Sequence, residues 1–174
     1  MRFLAALPIS LVLGNLGACS PTLDWRETAA EGSGVVAMFP CRPDRHARTL
    51  ELVGSKLKME MLVCPAGGAT YALSFVDVPE PSRVNAALAE LRLAALGNVR
   101  AESLTASPAR IASMTPNAEA LQVAAAGRLP DGAAVQLRAV FFAKGLRVYQ
   151  GSVIGAKAAT ETDEIFLAGF RFPA

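Results

Sequence analysis

Few residues of this 174-residue chain have the type and spacing that catalysis requires. The single histidine, His46, lies between Arg45 and Arg48, and two neighbouring positive charges disfavour the protonated imidazole. We therefore interpret His46 as a surface residue rather than as a general base. Asp77, which precedes Val78-Pro79, is typical of a turn or a cap rather than of a catalytic carboxylate. Neither a nucleophile elbow nor a phosphate-binding glycine loop is present, so we predict no catalytic residue.

Metal ligands are equally sparse in the sequence. Glu161, Asp163 and Glu164 form an acidic cluster, but acidic side chains in this setting favour the start of a helix, where they interact with its dipole. A structural zinc site needs about four cysteine or histidine ligands, usually with close cysteine pairs. This chain has three well-separated cysteines and one histidine. We therefore predict no metal site and no cofactor.

The most promising chemical set is basic and aromatic and lies late in the chain. Arg138, Arg147 and Tyr149 share one face of a predicted hairpin with apolar neighbours such as Val140 and Phe142. Such a face can bind an acidic or aromatic group through charge and stacking, so we predict a ligand-binding site there. The alternative is a half-exposed sheet face on which the arginine stems cover apolar surface.

Composition and charge exclude several kinds of partner. The net charge is +2, and only 18% of the residues are charged, with no run of lysines or arginines. Nucleic-acid binding needs a basic surface that neutralises phosphates, so no nucleic-acid partner is predicted. The same pattern argues against a polybasic patch for anionic lipids.

The N-terminus has the pattern of an export signal. Residues 3–18 form an apolar run that is too short to span a membrane and that follows one positive charge. Leu16-Gly17-Ala18-Cys19 then resembles the bacterial lipobox, in which small residues precede a cysteine that is acylated. We predict a signal peptide over residues 1–18 and two or three acyl chains on Cys19, which suffice for a stable membrane anchor. The alternative is an ordinary secretory signal that is cleaved nearby.

The residue after the acylated cysteine bears on the destination. In enteric-type sorting an aspartate at that position retains a lipoprotein in the inner membrane, and this chain has Ser20 there. We therefore predict a lipid anchor in the outer membrane, facing the periplasm. The predicted partners are the membrane itself and an envelope protein that the sequence does not identify.

Acylation of Cys19 leaves Cys41 and Cys64 as a pair. Each ends an apolar, strand-like run and is followed closely by a proline. Because exported proteins meet an oxidising compartment, we predict a Cys41–Cys64 disulfide. Its loop of about 24 residues is worth about 3 kcal/mol in the chain-entropy model. Two free thiols are the alternative.

The predicted secondary-structure elements that position these residues are strands, then a helix, then strands, then a second helix. Strands are predicted first at 34–39, 46–53, 57–64 and 69–78. A helix is predicted over 82–96, with Ser82 as its N-cap and Gly97-Asn98 as its stop. Further strands are predicted at 100–105, 109–114, 119–128, 134–143 and 146–154. A second main helix is predicted over 160–169.

This order predicts an α+β fold with an antiparallel sheet and a sandwich-like arrangement. The globular domain is predicted over residues 34–174, after a lipidated N-terminus and tether over residues 19–33. Lys144-Gly145 is the predicted two-residue loop of the late hairpin, and it places Phe141 opposite Val148.

Several phrases resemble small exported bacterial proteins of the PsbP-like α/β/α sandwich class. They are "GVVAMFPCRPD", "TYALSFVDVP", "GRLPDGAAVQLRAVFFAKGLRVYQGSVIGA" and "FLAGFRF", which together cover about residues 34–172. The resemblance implies a sandwich fold and a role as a binding or assembly accessory. Its motifs are structural, so no functional residue is carried over.

We therefore expect a membrane-anchored lipoprotein of the cell envelope that is not an enzyme and that binds a partner or supports an assembly. One alternative is a periplasm-facing carrier of a small or lipidic ligand, which needs a sizeable apolar cavity. A second alternative is an enzyme of unrecognised type, which needs a pocket where Asp77, His46 or the late arginines converge.

Overall fold

The structure is a computed structural model and describes residues 23–29, 32–157 and 161–173. The strands are β1 (Arg26–Ala29), β2 (Val36–Phe39), β3 (Asp44–Leu52), β4 (Ser55–Ala66), β5 (Ala69–Asp77), β6 (Thr105–Pro108), β7 (Leu121–Arg128), β8 (Ala134–Lys144) and β9 (Arg147–Gly155). The helices are α1 (Val84–Asn98), which follows a short 3-10 turn, and α2 (Glu161–Ala168).

Seven strands form one antiparallel sheet in the order β3-β4-β5-β9-β8-β7-β6. The late hairpin returns to the middle of this sheet, where β9 pairs with β5. Side chains alternate between the two faces, and Tyr71, Leu73 and Phe75 of β5 share one of them. The predicted α+β fold with an antiparallel sheet and two main helices is confirmed, although strands outweigh helices.

The two helices cover opposite faces of the sheet. On one face, Leu88 of α1 belongs to a buried cluster with Leu137 and Phe141 of β8. On the other face, Phe166 of α2 belongs to a second cluster with Phe142 of β8. The small sheet of β1 and β2 and the C-terminal residues share this second face, which we call the α2 face.

A short first strand precedes the predicted start of the globular domain at residue 34. β1 pairs with β2, Trp25 packs against the α2-face core, and the amide of Asp24 donates to the carbonyl of Pro40 over 2.8 Å. β1 therefore lies within residues 19–33, the segment predicted as a lipidated N-terminus and tether. β1 is short and mostly exposed, so it lacks the apolar alternation that reveals a strand.

The predicted Cys41–Cys64 disulfide is present, with the two Cα atoms 5.9 Å apart. It joins the end of β2 to β4 and so ties the small sheet to the large one. The predicted signal peptide over residues 1–18 and the predicted acylation site Cys19 lie outside the described residues. No helix in the described part of the chain is both long and apolar enough to cross a membrane.

The first helix lies two residues later than the predicted range 82–96. Ser82 is not its N-cap, because this residue lies in the preceding 3-10 turn and its hydroxyl donates to Glu80 over 3.3 Å. Gly97 does not stop the helix. Arg100 instead takes the left-handed conformation, with a φ of 44°, and its amide donates back to the carbonyl of Gly97 over 3.0 Å.

The late hairpin is two residues out of its predicted register. Its loop is Gly145-Leu146 rather than Lys144-Gly145, so Val148 lies opposite Ala143 rather than Phe141. Gly145 has a φ of 59° at the first loop position, where a type II′ turn requires a positive φ. Because the error is two residues, every side chain keeps its predicted face.

The segment between α1 and β7 contains one strand where two were predicted. β6 forms the edge of the large sheet, with Thr105 opposite Ala124. The strands predicted at 100–105 and 109–114 are therefore wrong. All four residues of β6 are exposed, so the sequence offers no apolar pattern there.

Candidate functional site

The structure separates the three residues that the sequence places in one binding site. Arg138, Arg147 and Tyr149 do share the α2 face of the sheet. However, Arg147 lies opposite Lys144 at the hairpin loop, whereas Arg138 lies opposite Val153, six positions farther along β9. At about 3.3 Å per residue, this separation is about 20 Å. The α2 face thus carries two candidate sites.

The first candidate is the hairpin cluster, which we define as Asp77, Arg147 and Tyr149. Asp77 ends β5 and lies opposite Arg147 on β9. Nε and Nη2 of Arg147 each donate to one carboxylate oxygen of Asp77 over 2.6 Å. The remaining Nη1 donates to the carbonyl of Gly32, and the guanidinium carbon lies 5.3 Å from the centre of the Phe75 ring.

Tyr149 is a buried hydrogen-bond donor within this cluster. Its hydroxyl donates to the carbonyl of Ser33 over 2.6 Å, and its ring stacks on Phe142 with centroids 4.9 Å apart. Burial raises the pKa of Tyr149 to about 12. The phenol therefore stays neutral at physiological pH and acts as a donor rather than as a base.

Asp77 and Arg147 are held in their charged forms. The hydrogen bonds from Arg147 keep the pKa of the Asp77 carboxyl below its usual value, and the carboxylate raises the pKa of the guanidinium. A general base needs a pKa near the working pH, so the shift of Asp77 is in the wrong direction for catalysis. Asp77 is an ion-pair partner of Arg147, a role that the turn or cap interpretation missed.

The hairpin cluster acts as a clamp on the loop that precedes β2. It holds two successive carbonyls of that loop, those of Gly32 and Ser33. A surface depression of about 360 Å³ opens beside the cluster, and Lys144 on its rim donates to the carbonyl of Ser113 over 2.6 Å. Since protein acceptors already engage these donors, the cluster offers an incoming ligand few hydrogen bonds.

The second candidate lies around Arg138 on three adjacent strands. Ala124 of β7 is opposite Arg138, and Thr105 of β6 is opposite Ala124. Together with Ser107 and Gln122, these residues line a hollow of about 220 Å³. We define the Arg138 groove by these five residues.

The Arg138 groove extends toward the end of α2. A second hollow of about 330 Å³ shares Ser107 and Gln122 with the first and continues past Arg110 to Leu167. The walls therefore combine an amide, a hydroxyl and cationic groups with an apolar patch. This chemistry suits a ligand with an acidic group and a short apolar part.

One nitrogen of the Arg138 guanidinium lacks an acceptor, and the group forms only a loose ion pair with Glu164. Its Nη1 is buried and has no hydrogen-bond partner among the described residues. Its Nη2 lies 3.8 Å from Oε1 of Glu164, which is beyond hydrogen-bond range. A buried donor without an acceptor costs about 1–3 kcal/mol, so Arg138 gains when a ligand supplies an acidic group.

The other candidates from the sequence do not converge. His46 lies on the edge strand β3, opposite Met61 and two strands away from Asp77. The acidic residues of α2 occupy its first turn, and the buried Asp163 accepts a hydrogen bond from Tyr71 over 3.0 Å. Within the described ranges, no group of three histidine, cysteine or acidic side chains is placed to hold a metal ion.

Sequence reasoning found Arg138 but missed the other polar residues of its groove. Thr105 and Ser107 lie on β6, which was not predicted, and they have no local signal because the whole strand is exposed. Gln122 lies on a predicted strand, but a lone glutamine there has no special spacing. Only the pairing of β6 with β7 and β8 brings these side chains to Arg138.

Comparison with protein-family models gives no matching family, and comparison with curated proteins gives no match. These comparisons therefore provide no function and no site residues for this chain.

Proposed function

We propose that this chain is a lipid-anchored, non-enzymatic binding module of the bacterial cell envelope. Residues 1–18 are its signal peptide, and the acylated Cys19 is its anchor. The Arg138 groove is its binding surface. The observation that carries the binding role is Nη1 of Arg138, a buried donor with no acceptor in the described structure beside a hollow of about 220 Å³.

The disulfide supports an exported location. Cys41 and Cys64 are bonded, and structural disulfides persist in oxidising compartments such as the bacterial periplasm. Since those two residues use each other, Cys19 is the odd cysteine of the chain, and it falls at the lipobox-like Leu16-Gly17-Ala18-Cys19. Ser20 supports the outer membrane, with the domain facing the periplasm.

The layer arrangement supports the finer fold proposal, a PsbP-like α/β/α sandwich. α1 and α2 cover opposite faces of the sheet, as that resemblance implies. Members of that class include binding and assembly accessories, which agrees with a module that works by contact rather than by chemistry.

The Arg138 groove favours an envelope protein that presents an acidic side chain. A guanidinium binds a carboxylate through charge and paired hydrogen bonds, and Gln122 and Ser107 add neutral donors and acceptors beside it. Glu164 is 69% exposed and only 3.8 Å from Nη2, so it can swing aside when a better-placed carboxylate arrives.

The two alternatives have less support. A carrier of a lipidic ligand needs an apolar cavity, but large core side chains such as Phe141, Phe142 and Phe166 are fully buried and fill the space on both faces. An enzyme needs a free acid or base, but Asp77 is held by Arg147.

The anchor is tested by expression of the full chain in a bacterial host. We expect Cys19→Ser to move the protein from the membrane fraction to the soluble fraction, with loss of the acyl mass. The double variant Cys41→Ala/Cys64→Ala is the matched control, and it should stay acylated and membrane-bound. Unchanged membrane association of Cys19→Ser would contradict the anchor.

The binding role is tested by crosslinking in intact envelopes with the tagged full chain. We expect one envelope protein to be recovered with the wild type and lost with Arg138→Met. The control is Arg128→Met, because Arg128 is exposed and already paired with Glu102 at 3.0 Å. Equal recovery of that protein with Arg138→Met would show that the groove does not bind it.

A further inference from the structure

We infer that the domain meets the lipid headgroups with the end that carries Leu23 and the Gly67-Gly68 turn, and that it holds the β8–β9 hairpin away from the membrane. We call these the near end and the distal end. This inference rests on the acylation of Cys19 in the proposed function, and it adds the orientation of the domain on the membrane.

The chain enters the fold at the near end. Leu23 lies beside the turn that joins β4 to β5, where its Cδ2 is 3.7 Å from the position of a Cβ atom on Gly67. The next residue, Asp24, is bonded to Pro40 at the end of β2. The near end is therefore also the end that carries the disulfide.

The length of chain between the lipid and the fold is short. Only four residue steps separate Cys19 from Leu23. Even a fully extended chain covers at most about 3.6 Å per residue, so Leu23 lies within about 14 Å of the acylated cysteine. The near end is thus held at the level of the lipid headgroups.

The distal end is beyond the reach of this tether. β5 starts at Ala69 beside the near-end turn and finishes at Asp77, eight steps away. At about 3.3 Å per step the strand is about 26 Å long, which is nearly twice the tether. An inverted domain, with its hairpin loop on the membrane, would need Leu23 to lie too far from Cys19.

The composition of the near end fits a lipid surface. Trp25 is the single tryptophan of the chain, is partly exposed and lies two residues from Leu23. Tryptophan favours the membrane–water interface because its ring is apolar and its N–H is polar.

The Arg138 groove also lies toward the near end. Arg138 lies opposite Val153, two positions from the near-end limit of β9. A partner of the Arg138 groove is therefore expected to present its acidic group close to the membrane.

The orientation is tested by quenching of tryptophan fluorescence. The acylated full chain is purified from membranes and reconstituted into phosphatidylethanolamine–phosphatidylglycerol vesicles that contain a headgroup-spin-labelled lipid. Trp25 reports the near end. Three variants carry Trp25→Phe together with one new tryptophan at an exposed site, namely Leu146→Trp at the hairpin loop, Leu93→Trp on α1 or Ile165→Trp on α2.

We expect Trp25 to be quenched several-fold more strongly than each of the three new tryptophans. Equal quenching of Leu146→Trp would overturn the inference, and strong quenching of Leu93→Trp or Ile165→Trp would show instead that the domain lies on one face. Mass spectrometry of the same samples separates the two proposals. Absence of the acyl mass contradicts the proposed function, whereas an acylated chain with the wrong quenching pattern contradicts the orientation alone.

Discussion

Arg147 and Arg138 lie on the same face of the same sheet, yet the fold treats them differently. Arg147 has an acceptor for each of its three donor nitrogens, two on Asp77 and one on Gly32. Arg138 has a buried Nη1 that no described residue satisfies. An arginine whose acceptors come from its own fold is a structural residue. An arginine with an unsatisfied buried donor destabilises the free protein, and a ligand that supplies an acceptor removes this destabilisation.

Phe170 of the C-terminal segment lies between the two regions, and Gly151 leaves room for its ring. Gly151 lies between them on β9, opposite Val140. A Cβ atom there would be 2.3 Å from Cε2 of Phe170, so the ring occupies the space that any side chain would need. The ring of Phe170 therefore covers the middle of the α2 face and leaves the two arginines at its ends.

The largest expected effect comes from filling that space. We expect Gly151→Ala to lower the free energy of unfolding by about 3 kcal/mol, because the added methyl overpacks against Phe170. Urea denaturation measures the change. Gly97→Ala is the control, since this helical position has open space around it and should gain about 0.5–1 kcal/mol. A Gly151→Ala protein as stable as wild type would show that the C-terminal segment does not pack tightly on β9.

The next effect tests the satisfied arginine. We expect Arg147→Met to lower the free energy of unfolding by about 2 kcal/mol, because it removes charge-assisted bonds to Asp77 and the donor to Gly32. The matched control is Arg48→Met on the exposed edge strand β3, which should change stability by less than about 0.5 kcal/mol. Equal stability of the two variants would mean that the clamp contributes nothing.

The unsatisfied arginine should behave in the opposite way. We expect Arg138→Met to leave the free energy of unfolding unchanged or to raise it by up to about 1 kcal/mol. Methionine keeps most of the apolar stem and removes a buried donor that has no acceptor. The same denaturation assay applies. A loss as large as that of Arg147→Met would show that Arg138 is a structural residue and would remove the main support for the groove.

The contrast also shows what the sequence can reveal. Local patterns predict the alternation that places Arg138, Arg147 and Tyr149 on one face, and an error of two residues in the hairpin leaves that result intact. The Cys41–Cys64 disulfide is also predictable, because these are the two cysteines that remain when Cys19 is assigned to acylation. The partners of the arginines do not, because Asp77 lies 70 residues from Arg147 along the chain. Strand order alone makes them neighbours, and strand order depends on the packing of the whole sheet.

The two short strands β1 and β6 are a second feature that could not be predicted from the sequence. β1 and β6 have four residues each and are mostly or wholly exposed, so hydrophobic periodicity cannot detect them. Both bear on the proposals made for this protein. β1 pairs with β2 soon after Leu23, which supports the proposed near end, and β6 supplies one wall of the Arg138 groove.

The smallest expected effect concerns pH and tests the ion pair of Arg147 with Asp77. Arg147 lowers the pKa of Asp77, so the folded state binds this proton less tightly than the unfolded state. The resulting stability is fully present above the unfolded pKa of about 3.9 and is lost as the pH falls through the lower folded pKa. We therefore expect Asp77→Asn to lose less stability than the wild type between pH 5 and the acid limit, roughly pH 2.

Two features of the molecule determine how large the pH effect is and why the Asp77→Asn comparison isolates it. The Asp77 side chain is 61% exposed, so solvent screens the pair and the change in slope is small. Glu60 also has a lowered pKa, because Arg45 donates a hydrogen bond to it. Glu60 therefore contributes to the loss of stability at low pH in the wild type and in Asp77→Asn alike. The difference between wild type and Asp77→Asn therefore isolates Asp77. Parallel stability profiles would mean that Arg147 holds the carbonyl of Gly32 without fixing the charge of Asp77. Arg147→Met should then leave the loss of stability at low pH unchanged as well.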